Sequence, residues 1–194
     1  MKTGIIVLAA GSSKRFGGIA KQLLTVNGTS LVRNAAEIAL TADLGGPVVI
    51  VLGDRREQIA PELDGLRVTL IDNPTHADGI ASSVKMGLAG LFLMQPTIDT
   101  FIVMPCDQPF LTPALLQQLV ATQQETGKGM VATRYGDQVH MPALFTRQYA
   151  EALSQLTADK APKWVIIKHR NDLADVQFEP AAIDLDFWAQ VEAL

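Results

Sequence analysis

A single cysteine, Cys106, among 194 residues excludes an internal disulfide and any multi-cysteine metal site. Histidine is nearly as scarce, and His76, His140 and His169 have no metal-ligand spacing, so a zinc centre is not supported. Gly-x-Ser-x-Gly is missing, which removes the usual sign of a Ser-His-Asp hydrolase. No apolar run reaches membrane-spanning length, because charge or proline interrupts each one. Met1-Lys2-Thr3-Gly4 leads straight into a strand-forming run without the regions of a signal peptide, which predicts a cytoplasmic protein with no membrane partner. The net charge is −4 and no basic stripe is interleaved with aromatics, so nucleic acid is not an expected partner.

Hydrophobic residues make up 48% of the chain and charged residues 19%, the balance of a globular protein rather than a disordered one. The length fits one domain over residues 1–194, with room for a substantial core. Positive charge is concentrated locally, in Lys14, Arg15 and Lys21, within an otherwise acidic chain.

These cations lie in the most informative stretch, Gly4 to Lys21. An apolar run, Ile5-Ile6-Val7-Leu8-Ala9-Ala10, turns at Gly11 into a loop of small residues carrying Ser12, Ser13, Lys14 and Arg15. A strand ending in such a turn leaves backbone N–H groups unpaired, and small side chains let a phosphate approach them. Arg15 supplies a planar cationic fork and Lys21 a compact point charge. The stretch reads as a polyphosphate cradle, with an ordinary connection bearing solvated cations as the alternative. It is not a P-loop, since Gly11 and Gly17 are separated by five residues and Gly18 precedes Ile19. Nor does Gly11-Ser12-Ser13 supply the three glycines of a dinucleotide fingerprint.

Further along, apolar strands and amphipathic helices alternate. Strands are predicted at Val48–Leu52, Val68–Ile71, Phe101–Met104 and Met130–Thr133, each preceded by a helical pattern. Thr29 or Ser30 is predicted to cap a helix over Leu31, Ala35, Ile38 and Ala39, and Thr112-Pro113 to start another over Leu115–Thr122. Leu23 to Val26 reads as extended, followed by an Asn27-Gly28 turn. Short strands are predicted at Met141–Phe145 and Val176–Phe178, and helices over Arg147–Leu156 and Pro162–His169. This alternation predicts an α/β sandwich with a mostly parallel sheet, whose loops after the first, third and fourth strands open on one edge.

Chemistry is expected at that edge. Asp107, between Pro105 and Pro109 and directly after an apolar strand, is placed either to ligate Mg²⁺ beside substrate phosphates or to cap its own turn. Asp184 and Asp186 share a face if their segment is extended, and one can be a second metal ligand or merely solvated. Ser82 and Ser83, at a helix start after Asp78-Gly79, suit a base or ribose as well as capping. Cys106 is read as a packing residue, because the neighbouring carboxylate raises its thiol pKa.

Three motifs in order carry a resemblance. Leu8-Ala9-Ala10-Gly11-Ser12-Ser13-Lys14-Arg15-Phe16-Gly17 with Lys21, Asn73-Pro74 to Gly79-Ile80-Ala81-Ser82-Ser83, and Cys106-Asp107-Gln108-Pro109 resemble the MobA-like nucleotidyltransferase family, which includes molybdenum cofactor cytidylyltransferases. The resemblance implies a three-layer α/β/α sandwich with a mixed, mostly parallel sheet of the nucleotide-diphospho-sugar transferase type. It implies transfer of CMP from CTP to molybdenum-bound molybdopterin with Mg²⁺, and a client molybdoenzyme as a further partner. The residues carried over are Arg15, Lys21 and Asp107 for catalysis, Leu8, Ala9, Ala10, Gly11, Ser12, Ser13, Asn73, Gly79, Ser82 and Ser83 for the nucleotide, and Asp107 for the metal; Asp186, the second metal candidate, lies where the family's Asp-x-Asp-Thr-Pro appears only as Asp184-Leu185-Asp186-Phe187-Trp188. Leu-Ala-Ala-Gly is the form associated with CTP, and Leu-Ala-Gly-Gly the guanylyl form. Where the family has Gly-His-Pro this chain has His140-Met141-Pro142, which leaves open a related transferase with another phosphate acceptor; a non-catalytic cofactor-binding or maturation protein is a separate alternative, against which the retained Arg15, Lys21 and Asp107 argue.

Overall fold

Alternation along the strands decides how the sheet is covered. In the computed structural model, which describes residues 2–11, 20–158 and 160–183, β1 (Thr3–Ala9) sends Ile5 and Val7 into one apolar cluster and Ile6 into another. β4 (Gly45–Leu52) does the same with Ile50 and Leu52 against Val49 and Val51. β6 (Thr100–Pro105) divides Ile102 and Met104 from Phe101 and Val103. Both faces therefore need helices, and burying each of these side chains contributes about 1.5–3 kcal/mol relative to exposure.

On the first face lie α1 (Leu31–Thr41) and α4 (Pro113–Thr126), through Val32, Ala35, Ala39, Leu115, Leu116 and Leu119. The second is covered by α3 (Ile80–Met94), α5 (Ala150–Ser154) and α6 (Lys163–Lys168), through Val84, Leu88, Leu91, Leu153, Val165 and Ile166. A short α2 (Arg56–Ile59) follows β4. The result is the predicted α/β/α sandwich.

The sheet has seven strands in the order β5-β4-β1-β6-β8-β7-β9, with β5 at Thr69–Asp72, β7 at Met130–Tyr135, β8 at Gln138–Thr146 and β9 at Leu173–Gln177. Pairs β1–β4, β1–β6, β4–β5 and β7–β9 are parallel, whereas β8 runs antiparallel to both its neighbours. The carboxyl ends of β1, β4, β5 and β6 consequently share one edge. Among the described residues no helix is long and apolar enough to cross a membrane.

Several local expectations are corrected. Leu23, predicted to begin the extended piece, instead ends a 3-10 turn, Lys21–Leu23, because Gln22 is drawn fully into the interior, and Leu24 is the first extended residue. Thr25–Val26 (β2) pairs with Thr29–Ser30 (β3) around Asn27 and Gly28, whose φ values of 54° and 80° suit a tight hairpin. Ser30 occupies the start of α1 without a side-chain cap, since the rung it makes in β3 holds it away. Thr112 does cap α4, accepting from the Leu115 N–H at 3.2 Å. The predicted strand at Met141–Phe145 is longer, because a two-residue turn at Gly136-Asp137 makes it the return arm of a hairpin with β7. Arg147–Leu156 is a 3-10 turn leading into the short α5.

Glycines set how closely α3 approaches the sheet. A Cβ on Gly87 would lie 2.4 Å from Ile6 Cγ2, and one on Gly90 2.6 Å from Ile71 Cγ1. Close contact along this helix fixes its N-terminus beside the ends of β1 and β5.

Candidate active site

At the shared strand edge lies a cleft of about 480 Å³, built from the ends of β1, β4 and β6 and the loop between β5 and α3. β1 contributes Leu8, Ala10 and Gly11 to its wall, the following turn Lys21 and Gln22, and the β6 turn Pro105, Cys106 and Asp107. Gly79 and Ser83 face it from the start of α3. Three separate sequence motifs thus meet in one cavity. A second cavity of about 480 Å³, walled by α5 and α6 around Trp164, contains none of the predicted site residues.

Lys21 Nζ donates to the Asp107 carboxylate, and both side chains are less than one-fifth exposed. The ion pair joins the segment after the β1 loop to the turn after β6, 86 residues away in the chain. A half-desolvated pair of this kind holds one positive and one negative group at a fixed place in a concave site. The Asp107 turn is also fastened by Asn34, whose Nδ2 donates to the Pro109 carbonyl at 3.0 Å, and by Gln108, whose Nε2 donates to the Ala181 carbonyl at 2.8 Å. Burial first and the Asp107 charge second push the Cys106 thiol up to about 12, consistent with a packing role.

The predicted base-binding segment divides in two. Asn73 is buried at the end of β5, with Nδ2 donating to Ser82 Oγ at 2.9 Å and Ser83 Oγ at 3.0 Å. Its Oδ1 accepts from the Thr75 N–H and hydroxyl, both at 3.0 Å. Ser82 Oγ donates onward to the Gly79 carbonyl at 2.8 Å. Asn73 and Ser82 thereby shape the loop from behind, whereas Gly79 and Ser83 line the cleft. Gly79, at φ 98°, has a conformation that glycine adopts without strain. Ala9 sits beneath, its side chain in the core and its carbonyl held by Gln22. Arg15, Ser12, Ser13 and Asp186 lie outside the described residues.

Gln22 and Asp54 line the cleft without having been predicted, and His76 and Ile80 line it within the predicted 73–83 segment without having been singled out. Asp54 was signalled in the same way as Asp107, as a carboxylate just past an apolar strand. His76 belongs to the 73–83 loop but carries no metal-ligand spacing. Gly53 makes room for it, since a Cβ there would lie 2.7 Å from His76 Cβ and 2.8 Å from the Ala10 carbonyl oxygen. Arg55, at φ 59°, occupies the left-handed region next to this edge.

Among the described residues no three His, Cys, Asp or Glu side chains gather into a metal site. One carboxylate beside a phosphate-sized space still suits Mg²⁺, which binds through one or two carboxylates together with substrate phosphates. Asp107 fits that donor set.

The fold, a mostly parallel seven-stranded mixed sheet flanked by helices, is that of the nucleotide-diphospho-sugar transferases. The chain belongs to the MobA-like NTP transferase domain family, which matches residues 5–173. It is 33% identical over 120 residues to a probable molybdenum cofactor guanylyltransferase of Natronomonas pharaonis, covering 61% of this chain and 55% of that protein. It is 32% identical over 124 residues to the nicotine blue oxidoreductase of Paenarthrobacter nicotinovorans, covering 63% and 57% respectively. The chain thus spans little more than half the length of these two relatives. Among solved structures, Rv0371c from Mycobacterium tuberculosis H37Rv superposes with a TM-score of 0.82 at 25% identity over 100% of this chain and 97% of that one. A structure of Rv0371c in complex with manganese superposes with a TM-score of 0.79 at 24% identity, covering 100% and 98%.

Proposed function

We propose that the chain is a single-domain, Mg²⁺-dependent cytidylyltransferase that transfers CMP from CTP to molybdenum-bound molybdopterin in the cytoplasm, for delivery to a client molybdoenzyme. The observation that carries this reading is the meeting of Lys21, Asp107, Gly11 and Ser83 in one cleft at the carboxyl ends of parallel strands. Support for the acceptor comes from the relative described as a probable molybdenum cofactor guanylyltransferase. The choice of CTP over GTP rests on the sequence Leu8-Ala9-Ala10-Gly11.

In the proposed reaction a terminal phosphate oxygen of the acceptor attacks the α-phosphorus of CTP. The new P–O bond forms as the bond to the β-phosphate oxygen breaks, and pyrophosphate leaves with that electron pair. Bound Mg²⁺ would supply charge neutralisation on the triphosphate. Lys21 turns from Asp107 toward the phosphates, freeing the carboxylate to hold the cation, and Arg15 adds a second fixed positive charge. Gly11 and the backbone around it receive phosphate oxygens, while Gly79 and Ser83 bound the nucleoside. Such transfers run on positioning and charge stabilisation, so no protein nucleophile is required, and the raised pKa of Cys106 agrees with that. Asp186 is proposed as a second ligand. Ala181 is tied to Gln108, and Asp186 is five positions further along the chain, at most about 3.5 Å per position.

Pyrophosphate release with Mg²⁺ and molybdenum-loaded molybdopterin, compared across CTP, GTP, ATP and UTP, tests the proposal. CTP-selective release is expected. Release only with GTP would overturn the base assignment, and release only with a different phosphate acceptor would favour a sibling transferase. That second reading is favoured by His140-Met141-Pro142, which replaces Gly-His-Pro on β8.

A further inference from the structure

Gln22 is fully buried, yet it reaches the wall of the cleft. Its Nε2 donates to the carbonyl of Ala9 at 3.0 Å and to that of Gly11 at 2.8 Å. These carbonyls flank the point where β1 becomes the loop. On the β6 side the register ends at Leu8–Pro105, and on the β4 side one residue later at Ala9–Leu52. Past those rungs the backbone has run out of strand partners, and a buried carbonyl without a donor is costly. One side-chain amide supplies donors to the carbonyl of the last rung, Ala9, and to that of Gly11 beyond it.

That bonding fixes direction as well as energy. A trans peptide group is planar, so holding the Ala9 carbonyl inward turns the Ala10 N–H of the same plane the opposite way. The residue next to Gln22 is Lys21, which holds Asp107. A single 3-10 turn, Lys21–Leu23, therefore couples the backbone at Gly11 to the carboxylate across the cleft.

We infer that Gln22 is a positioning residue: by clamping the Ala9 and Gly11 carbonyls it fixes the backbone at Ala10 and Gly11, in the cleft wall, for the triphosphate of the incoming nucleotide. This rests on the nucleotidyltransferase reading above. Gln22 touches no reacting atom. Its effect falls on triphosphate binding, and acceptor binding is left alone.

The test is equilibrium binding of CTP and of inorganic tripolyphosphate to wild type, Gln22→Met and Gln22→Glu, with steady-state KM for both substrates. Met keeps the length and apolar fit but cannot donate. Glu keeps the shape but sets a carboxylate against two carbonyls and is the more disruptive of the two; where either variant folds poorly, KM and Kd of its folded fraction still report the effect. Losing both bonds should weaken both ligands about tenfold or more, with KM for CTP rising in parallel and acceptor KM unchanged. Thr3→Val, which breaks the 2.7 Å hydroxyl pair with Thr100 at the opposite end of β1, controls for lost stability. A merely structural role lowers the active fraction, and so apparent kcat, at unchanged KM and Kd. That pattern in the Gln22 variants, or wild-type affinity in them, overturns the inference. Wild-type protein that binds neither CTP nor tripolyphosphate overturns the functional reading and this inference together.

Discussion

The two halves of the sheet reach the same edge by different routes. In β5-β4-β1-β6 every strand is parallel, so each carboxyl end arrives there directly and whatever follows a strand faces the cleft. In β8-β7-β9 the hairpin reverses the chain, and residues 135–142 come to the edge because β8 is threaded antiparallel between β6 and β7. There Tyr135 and His140 stack at 3.7 Å and 14°, and burial ahead of the Lys163 charge lowers the His140 pKa. The parallel half places charge, Lys21 against Asp107. The other half places a neutral stacked pair. Local sequence announces the first arrangement, whereas the second depends on a topology that no local pattern states.

If the parallel half carries the chemistry, Asp107→Ala should have the largest effect. Turnover should fall by about 10²-fold or more with the thermal midpoint nearly unchanged, and a fully active variant would remove Asp107 from the mechanism. Lys21→Ala should come next, raising KM for CTP about tenfold in steady-state kinetics; an effect confined to acceptor KM would move Lys21 to the other half of the site.

In the second half the expected effects are on stability. Asp172 accepts from the Gly129 N–H at 2.9 Å, Tyr149 Oη at 2.7 Å and Gln148 Nε2 at 3.0 Å, tying the start of β9 to β7 and α5. The Gly129 N–H, ahead of Tyr149, holds its carboxyl below the usual range. Burial and Asp172 push the Tyr149 phenol up to about 12, so it remains a donor. Asp172→Asn should cost about 1–2 kcal/mol in urea unfolding while leaving nucleotide KM alone. Because the folded pKa is lowered, this stabilisation is complete above about pH 4 and lost as pH falls through the folded value, so the gap from wild type should narrow in acid. Arg134→Ala breaks an exposed two-bond pair with Asp175 at 2.8 Å and should cost less than about 1 kcal/mol by the same measurement.

Asp107 was legible because a carboxylate after an apolar strand, set between prolines, has a narrow range of placements. The layers were legible because apolar residues alternate between the two clusters. Gln22 was not, since its partners are backbone carbonyls at Ala9 and Gly11 that carry no side-chain signature. Ser30 misled for a related reason: a cap-type residue was taken up by the β3 rung. Asn73 and Ser82 were found by their motif, but only the fold shows that they bond to each other behind the cleft.

The Asp107 turn also has a timetable. Asn34 and Lys21, which brace it, precede it in the chain, but its third brace is the Ala181 carbonyl, 73 residues after Gln108. Synthesis proceeds from the N-terminus, so the strands beneath the turn emerge well before that bond can form. A ribosome must deliver the chain at least as far as Ala181 before the carboxylate's turn is fastened on every side.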